Sequence, residues 1–167
     1  MTVEIERLSK REDAEWCAKV MAGSEPWITL GRSYEESLVI VTDPVKETYV
    51  ARSEGNLCGF LILNLAGTLS GYIQTVCVGP DMRGKGLGTS LLRFAEEEIF
   101  KISPNVFLCV SSFNTEAKKL YERLGYETIG EIKDYLARGH SEILMRKTTG
   151  PLNEFVSGAG RIDLAKA

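Results

Sequence analysis

Residues 76–92 read VCVGPDMRGKGLGTSLL and carry the strongest structural signal in the chain. The apolar run that ends at Val78 predicts a strand, and the apolar spacing from Leu87 to Ile99 predicts an amphipathic helix. A glycine-rich loop that contains Arg83 and Lys85 joins them. Glycines allow backbone amides to approach a ligand closely, and the first turn of a helix leaves its N–H groups unpaired. The stretch therefore predicts an anion site suited to a pyrophosphate.

Two common phosphate-binding patterns do not match this loop. The Walker pattern G-x-x-x-x-G-K-[ST] is absent, because no lysine–Ser/Thr pair follows the last glycine. The dinucleotide fingerprint G-x-G-x-x-G is not met either, because Gly84, Gly86 and Gly88 alternate with single residues. The glycines could also serve only a tight turn, but such a turn would not need basic residues at a helix start. We therefore interpret the loop as a pyrophosphate site that follows neither of these two patterns.

The remaining pattern predicts an alternation of strands and helices on both sides of this loop. Ser9 stands where it could cap the first helix. In chain order, the predicted elements are a strand at Val3–Arg7, helices at Lys10–Met21 and Tyr34–Val41, strands at Thr48–Arg52, Leu57–Leu65 and Gly71–Val78, the helix from Leu87, a strand at Val106–Val110, a helix at Thr115–Leu124, and strands at Tyr126–Ile132 and Glu142–Arg146.

This order predicts an α/β (α+β) domain with a mixed central sheet flanked by helices. The strand–helix–strand unit at residues 71–110 requires a parallel pair, whereas the other strands are joined as hairpins. Residues 1–147 are predicted to form one domain. The composition loosens at residues 148–167, which are predicted to be a flexible C-terminal tail.

Composition excludes several classes of function. A net charge of −3 argues against a nucleic-acid-binding protein. The single histidine, His140, and four cysteines without a C-x-x-C pair predict no metal site. Cysteines within apolar runs indicate a reducing compartment, and neither an apolar leader nor a membrane-length segment is evident, so we expect a cytoplasmic protein that does not bind membranes.

Two motifs resemble those of a known family. R-G-K-G-L-G at Arg83–Gly88 resembles the [RQ]-x-x-G-x-[GA] coenzyme A loop of the GNAT superfamily of N-acetyltransferases. The segments Asn114–Ala117 and Leu120–Tyr126 are similar to the family's N-x-x-A-x-x-L-Y-x-x-x-G-[FY] motif. The similarity covers roughly residues 47–147, with both motifs in the family's order.

The resemblance implies a GNAT-type acyl-CoA N-acyltransferase fold whose sheet is splayed between strands 4 and 5, with acetyl-CoA as cosubstrate and its pantetheine in the gap. It further implies that Tyr121 faces the coenzyme sulfur. The other cofactor-binding residues implied are Val76, Cys77 and Val78 for the pantetheine amides, the amides of Arg83, Gly84, Lys85, Gly86, Leu87, Gly88 and Thr89 for the pyrophosphate, and Asn114 and Ala117 of the second motif.

The catalytic groups are only partly predicted. The departing thiolate needs a proton, and the phenol of Tyr121, with an ordinary pKa near 10, can donate one. The amine must lose a proton, but Gly71–Gln74 and Leu108–Val110 of the splayed strands contain no carboxylate. The base therefore stays open between a water chain, Tyr72, and three groups near the last hairpin: Asp134, His140 and Glu142. Cys77 and Cys109 lack a histidine partner in the sequence, which favours direct transfer over a thioester enzyme.

The acceptor is predicted only as a primary amine. Ser24–Trp27 before a helix, and Asp134-Tyr135 before the last strand, look similar to the branch that acetylates protein N-termini, including ribosomal-protein alanine acetyltransferases. That branch implies a peptide contact for Tyr135, and Trp27 and Tyr72 are further candidate substrate contacts. A protein N-terminus and a small-molecule amine both stay open, as do a monomer and a homodimer. The missing strand carboxylate keeps one alternative, a non-catalytic acetyl-CoA-binding sensor or regulatory module.

Overall fold

A seven-stranded sheet organises the computed structural model, which describes residues 2–157 and 160–161. Within that part of the chain the strand order is β1-β2-β3-β4-β5-β7-β6 and four α-helices flank the sheet. The elements are β1 (Val3–Arg7), α1 (Arg11–Ala22), α2 (Tyr34–Val41), β2 (Glu47–Ser53), β3 (Asn56–Asn64), β4 (Tyr72–Val78), α3 (Leu87–Phe100), β5 (Asn105–Ser111), α4 (Thr115–Arg123), β6 (Glu127–Lys133) and β7 (Ser141–Thr148).

Strand β3 lies at the centre of the core and is buried on both faces. Leu61 and Leu63 pack on one face with the apolar side of α3, which includes Leu91 and Ile99. Phe60 and Ile62 point to the other face, where α1 and α2 pack. Because successive side chains of a strand alternate between faces, this continuous apolar run serves two helical layers at once.

Strands β4 and β5 run parallel but separate after two residue pairs. Tyr72 pairs with Phe107 and Ile73 with Leu108, and no further pair of these two strands occurs in the described residues. Gln74 forms a bulge in the β3–β4 ladder, since Ile62 pairs with Thr75 and Leu63 with Ile73. A bulge bends its strand and increases its twist, which explains why β4 turns away from β5 at this point. The predicted mixed sheet, splayed between strands 4 and 5, is confirmed.

Local details differ from the sequence prediction in two places. Ser9 was expected to cap α1, but Lys10 is the N-cap residue and no side chain bonds the first turn there, so this prediction is wrong. The predicted strands Thr48–Arg52 and Leu57–Leu65 leave residues 53–56 as the turn between them. The strands instead continue to Ser53 and from Asn56, leaving Glu54 and Gly55 as the loop, both with positive φ (52° and 79°), as a two-residue type I′ turn requires.

The described residues of the predicted tail (148–157 and 160–161) include regular secondary structure. Strand β7 continues to Thr148, a 3-10 turn forms at Leu152–Glu154, and the short strands β8 (Val156–Ser157) and β9 (Gly160–Arg161) pair with each other. Residues 158–159 and 162–167 lie outside the described residues, so the flexible tail stays a prediction. Across the described residues, no helix is both long and apolar enough to span a bilayer.

Candidate active site

Two cavities meet where β4 and β5 diverge. The large cavity, of about 400 Å³, extends along β4 and β5 beneath the segment that joins α1 to α2. The small cavity, of about 170 Å³, continues from it along the end of β4 toward α3. The residues that line both cavities are Glu25, Trp27, Val76, Ala117 and Tyr121. A ligand in one cavity would therefore meet a ligand in the other at Val76 and Tyr121.

The glycine-rich loop leads directly into the first turn of α3. Gly86 is the N-cap residue, with φ 84° and no side chain bonding the helix end, and Gly84 has φ 72°. Only glycine adopts this left-handed region readily, which explains both residues. Leu87 is buried in the core, so it can offer a ligand only its backbone amide. Lys85 is exposed, and no acidic side chain lies in the first turn of α3.

The side chain of Arg83 turns back toward the end of β4. Its Nη2 donates a 3.0 Å hydrogen bond to Ser24 Oγ and its Nε a 3.4 Å bond to the carbonyl of Val78. The guanidinium also lines the small cavity. The loop is thereby tied to the segment that joins α1 to α2, so Arg83 positions this segment as well as adding positive charge.

The end of β4 presents an open edge to the cleft. From Gln74 onward, no β5 residue pairs with β4 in the described part of the chain. Val76 and Val78 are partly exposed along this edge, whereas the side chain of Cys77 is buried in the core. An unpaired edge offers N–H and C=O groups to an extended ligand in the way that a neighbouring strand would use them.

Helix α4 carries the other predicted coenzyme residues. Asn114 is its N-cap, and Oδ1 accepts a 3.4 Å hydrogen bond from the amide of Ala117. Tyr121 lies one turn further on and packs edge-to-face against Tyr126, with ring centroids 6.0 Å apart. None of the described residues hydrogen-bonds the Tyr121 hydroxyl, and burial raises the pKa of Tyr121 to about 12. The phenol is therefore protonated throughout the neutral range.

The predicted substrate residues also reach the large cavity. Trp27 covers it from the segment that joins α1 to α2, Tyr72 lines its floor at the start of β4, and Tyr135 lies at its mouth with 61% of its surface exposed. Burial raises the pKa of Tyr72, so this phenol also stays protonated and is a poor base. Of these three aromatic residues, only Trp27 lines both cavities.

A carboxylate enters the large cavity from β7. Glu142 is only 3% exposed, and its Oε1 accepts a 2.6 Å hydrogen bond from Ser111 Oγ, its register partner on β5. Burial raises the pKa of Glu142, while the hydrogen bond from Ser111 and the nearby His140 act in the opposite direction. The strand beside the splayed pair thus supplies the carboxylate that β4 and β5 lack.

The other two hairpin candidates do not line the cavity. Asp134 is exposed, and its Oδ1 accepts a 2.6 Å hydrogen bond from the amide of Gly139 within the β6–β7 loop. The ring of His140 packs edge-to-face on Phe113, with centroids 5.0 Å apart. Neither residue contributes to the surface of the large cavity. Of the groups left open by the sequence, Glu142 therefore has the position and the environment of a base.

Sequence reasoning missed several residues of the large cavity. Arg32 and Lys46 contribute cationic side chains, and Ser111 holds Glu142. No sequence signal identified Arg32, because it lies in a turn without periodicity. Ser111 follows the predicted strand directly, but its role depends on pairing with a residue 31 positions away.

The two cysteines nearest the site have little support as nucleophiles. Cys109 lines the large cavity, where burial raises the pKa of its thiol even though the Tyr72 hydroxyl beside it acts in the opposite direction. Burial also raises the pKa of Cys77 to about 12. Thiols with raised pKa values are weak nucleophiles at neutral pH. In residues 2–157 and 160–161, no group of three or more histidine, cysteine, aspartate or glutamate side chains could hold a metal ion.

Comparison with known proteins gives one family and several relatives. The acetyltransferase (GNAT) family matches residues 8–126. The N-alpha-acetyltransferase RimI of Mycobacterium tuberculosis is 29% identical over 148 residues, covering 84% of this chain and 89% of that protein. The S-(2-succino)cysteine N-acetyltransferase of Bacillus subtilis is 30% identical over 156 residues, covering 84% and 93%. The crystal structure of the ribosomal-protein-S18-alanine N-acetyltransferase from Escherichia coli has the same fold, with a TM-score of 0.72 at 20% identity over 93% of this chain and 99% of that one.

Proposed function

The chain belongs to the acetyltransferase (GNAT) family and is an acetyl-CoA-dependent N-acetyltransferase, and from that premise we propose that it transfers acetyl directly to a primary amine held in the large cavity. The observation that carries this proposal is the junction of the two cavities at Val76 and Tyr121. Pantetheine in the small cavity would bring its thioester to the point that an amine in the large cavity can reach. Holding both reactants in one geometry removes much of the entropic barrier.

The coenzyme would occupy the small cavity and the loop beyond it. The open edge of β4 at Val76–Val78 would bond the pantetheine amides, with Asn114 and Ala117 on the opposite side. The unpaired amides at the start of α3, together with the loop from Arg83 to Thr89, would hold the pyrophosphate, supported by the positive end of the helix dipole. Two positive-φ glycines in this loop support that role, because they leave the backbone free of side chains.

Two groups would move the protons of the reaction. Glu142 would take one proton from the ammonium form of the acceptor, and the free amine would attack the thioester carbonyl. The C–S bond then breaks, and the leaving thiolate would take its proton from Tyr121. The second proton of the amine nitrogen, which the amide product does not keep, would return to the Tyr121 phenolate, and Glu142 would release its proton to water. The raised pKa of Glu142 brings its basicity closer to that of the amine, which favours proton transfer. The buried, protonated thiols support transfer without a covalent enzyme intermediate.

The acceptor class follows from the relatives only in outline. One relative is named as an N-alpha-acetyltransferase and another as an N-acetyltransferase of a modified cysteine, so both a protein N-terminus and a small amine are supported. All four thiols are free in the structure, which supports action in a reducing compartment such as the cytoplasm.

A thiol-release screen tests the proposed function. Acetyl-CoA is mixed with amino acids, polyamines, aminoglycosides or peptides with free N-termini, and the release of free CoA is followed together with the mass of the product. Peptides with a blocked N-terminus and the N-acetylated form of each small amine are the matched controls. A protein that binds acetyl-CoA in calorimetry but releases no thiol with any of these acceptor classes would contradict the proposal.

A further inference from the structure

Arg32 is held in place by the backbone on both sides of it. Its amide donates a 3.0 Å hydrogen bond to the carbonyl of Trp27, which closes the turn beneath it. The next residue, Ser33, caps α2 through a reciprocal pair of bonds with Glu36, of 3.1 Å and 2.9 Å. The position from which the Arg32 side chain enters the large cavity is therefore fixed by local structure.

The guanidinium of Arg32 has no partner in the part of the chain that the structure describes. Its Nε is buried without a hydrogen bond, and no carboxylate of residues 2–157 and 160–161 forms an ion pair with it. A buried donor without an acceptor is costly, and arginine is the side chain best shaped to bind a carboxylate with two parallel hydrogen bonds. An anionic group on a ligand in the cavity would satisfy it.

The other charged groups of the large cavity already have partners. Lys46 forms a 3.0 Å ion pair with Asp43, and Glu142 accepts the hydrogen bond from Ser111. Glu25 is exposed, and its Oε2 accepts a 3.2 Å hydrogen bond from the amide of Thr29. Arg32 is thus the charged side chain of this cavity that lacks a partner in the described residues. The lining as a whole has two cations (Arg32, Lys46) and two carboxylates (Glu25, Glu142), which matches an acceptor with one ammonium and one carboxylate better than one with a phosphate, which carries close to two negative charges.

We propose that the acceptor carries a carboxylate in addition to its amine, and that Arg32 binds this carboxylate while the amine lies at Glu142. The acceptor class is thus a free amino acid or a small amino-acid conjugate, and a cavity of about 400 Å³ has the size of a small-molecule site. This inference rests on the proposed function and adds the feature by which the acceptor is selected. It excludes polyamines, which carry only positive charge, as preferred acceptors.

The test compares matched acceptors that differ only in charge. Amino acids and ω-amino acids are assayed beside their primary amides, with concentrations expressed as the ammonium form, from which Glu142 is proposed to take a proton. For the wild-type enzyme, we expect kcat/KM for the acids to exceed that for the amides by about 10–150-fold, which corresponds to a charge-assisted hydrogen bond. In Arg32→Gln this ratio should fall toward one, mainly through a higher KM for the acids.

Arg11→Gln is the matched control, because Arg11 is exposed on α1, pairs with Glu15 and does not line the cavity. This variant loses the same charge and should keep the wild-type ratio. A wild-type preference for amides, polyamines or peptides overturns the inference, and so does an Arg32→Gln variant that still favours the acids. If the proposed function itself is wrong, no amine of any class will cause the release of CoA thiol, and this result differs from a changed preference among acceptors.

Discussion

Ser111 Oγ donates a 2.6 Å hydrogen bond to Glu142 Oε1 and joins the ends of β5 and β7 beside the large cavity. The bond holds one carboxylate oxygen, which leaves the other free for a substrate amine. Since β5 and β7 stay paired where β4 and β5 separate, the carboxylate is fixed on the rigid side of the cleft. Positioning of this kind is what a general base needs.

Glu142→Gln should lower kcat by about 10²–10⁴-fold, because the variant keeps an oxygen for Ser111 but cannot take a proton from the amine. The KM for acetyl-CoA should change little, since the proposed coenzyme site lies on the other side of the junction. Glu131→Gln is a matched control, because Glu131 is exposed on the neighbouring strand β6. Steady-state kinetics on both variants checks this, and full activity of Glu142→Gln would leave the base unassigned.

The same variant should be more stable than the wild type at neutral pH. Burial raises the pKa of Glu142 above its ordinary value of about 4.3. At a pH between the ordinary and the raised pKa of Glu142, the native state holds a proton that the unfolded state has lost. The free energy of unfolding of the wild type therefore falls as the pH rises through this range. Glutamine has no such proton to lose. Urea unfolding should therefore show an advantage of Glu142→Gln at about pH 7 that shrinks toward about pH 4, and an advantage that grows toward low pH would contradict the raised pKa.

The coenzyme loop can be tested with two glycines that share the same backbone strain. Gly86 and Gly67 have φ values of 84° and 95°, and at both positions an added Cβ would meet open space. Gly86→Ala and Gly67→Ala should therefore lose similar stability, about 1–2 kcal/mol each. Only Gly86→Ala should raise the Kd for acetyl-CoA, by about 10-fold or more, because its Cβ stands where a phosphate would approach the backbone. Calorimetry that finds equal affinities for both variants would contradict the placement of the pyrophosphate.

How much of the site was predictable depended on how local its determinants are. The loop at Arg83–Gly88 and the motif around Tyr121 each lie within one short stretch, so the sequence alone was enough to propose both as coenzyme contacts. The contact between Ser111 and Glu142 depends on the register of two strands and joins residues 31 positions apart, which no local pattern encodes. Arg32 was missed for a similar reason, because its importance comes from the cavity that several distant elements enclose.

The fold was predictable because periodicity and chain order constrain it strongly. Every predicted strand and helix up to β7 occurs in the structure, with ends shifted by only a few residues. The helix cap at Ser9 failed because the extended backbone of Lys10 (φ −104°, ψ 141°) begins α1 one residue later than predicted. Caps depend on the backbone of a single residue, whereas the spacing of apolar side chains is set by a whole helix.

Removal of the two thiols nearest the site should leave catalysis intact. Burial raises the pKa of Cys77 to about 12 and also raises that of Cys109, so neither thiol is a thiolate near neutral pH. We expect Cys77→Ala and Cys109→Ala to keep kcat within a few-fold, although Cys77→Ala should lose some stability because its side chain is in the core. A fall of about 10³-fold in a folded single variant would instead indicate a covalent intermediate.

Tyr121→Phe keeps the ring and removes the proton donor, so kcat should fall by about 10²–10⁴-fold while the KM for acetyl-CoA changes little. An unperturbed phenol would begin to lose its proton near pH 10 and would give the wild-type profile a falling limb there. Burial moves the pKa of Tyr121 to about 12, so the phenol stays protonated and the ratio of wild-type to variant kcat should be constant from about pH 6 to 10.

Tyr49→Phe is the control, because it removes a phenol that bonds Glu47 away from the cavities. If Tyr121 only orients the sulfur, the loss in kcat will be smaller and KM will change with it, and full activity across this pH range would reduce Tyr121 to a packing residue.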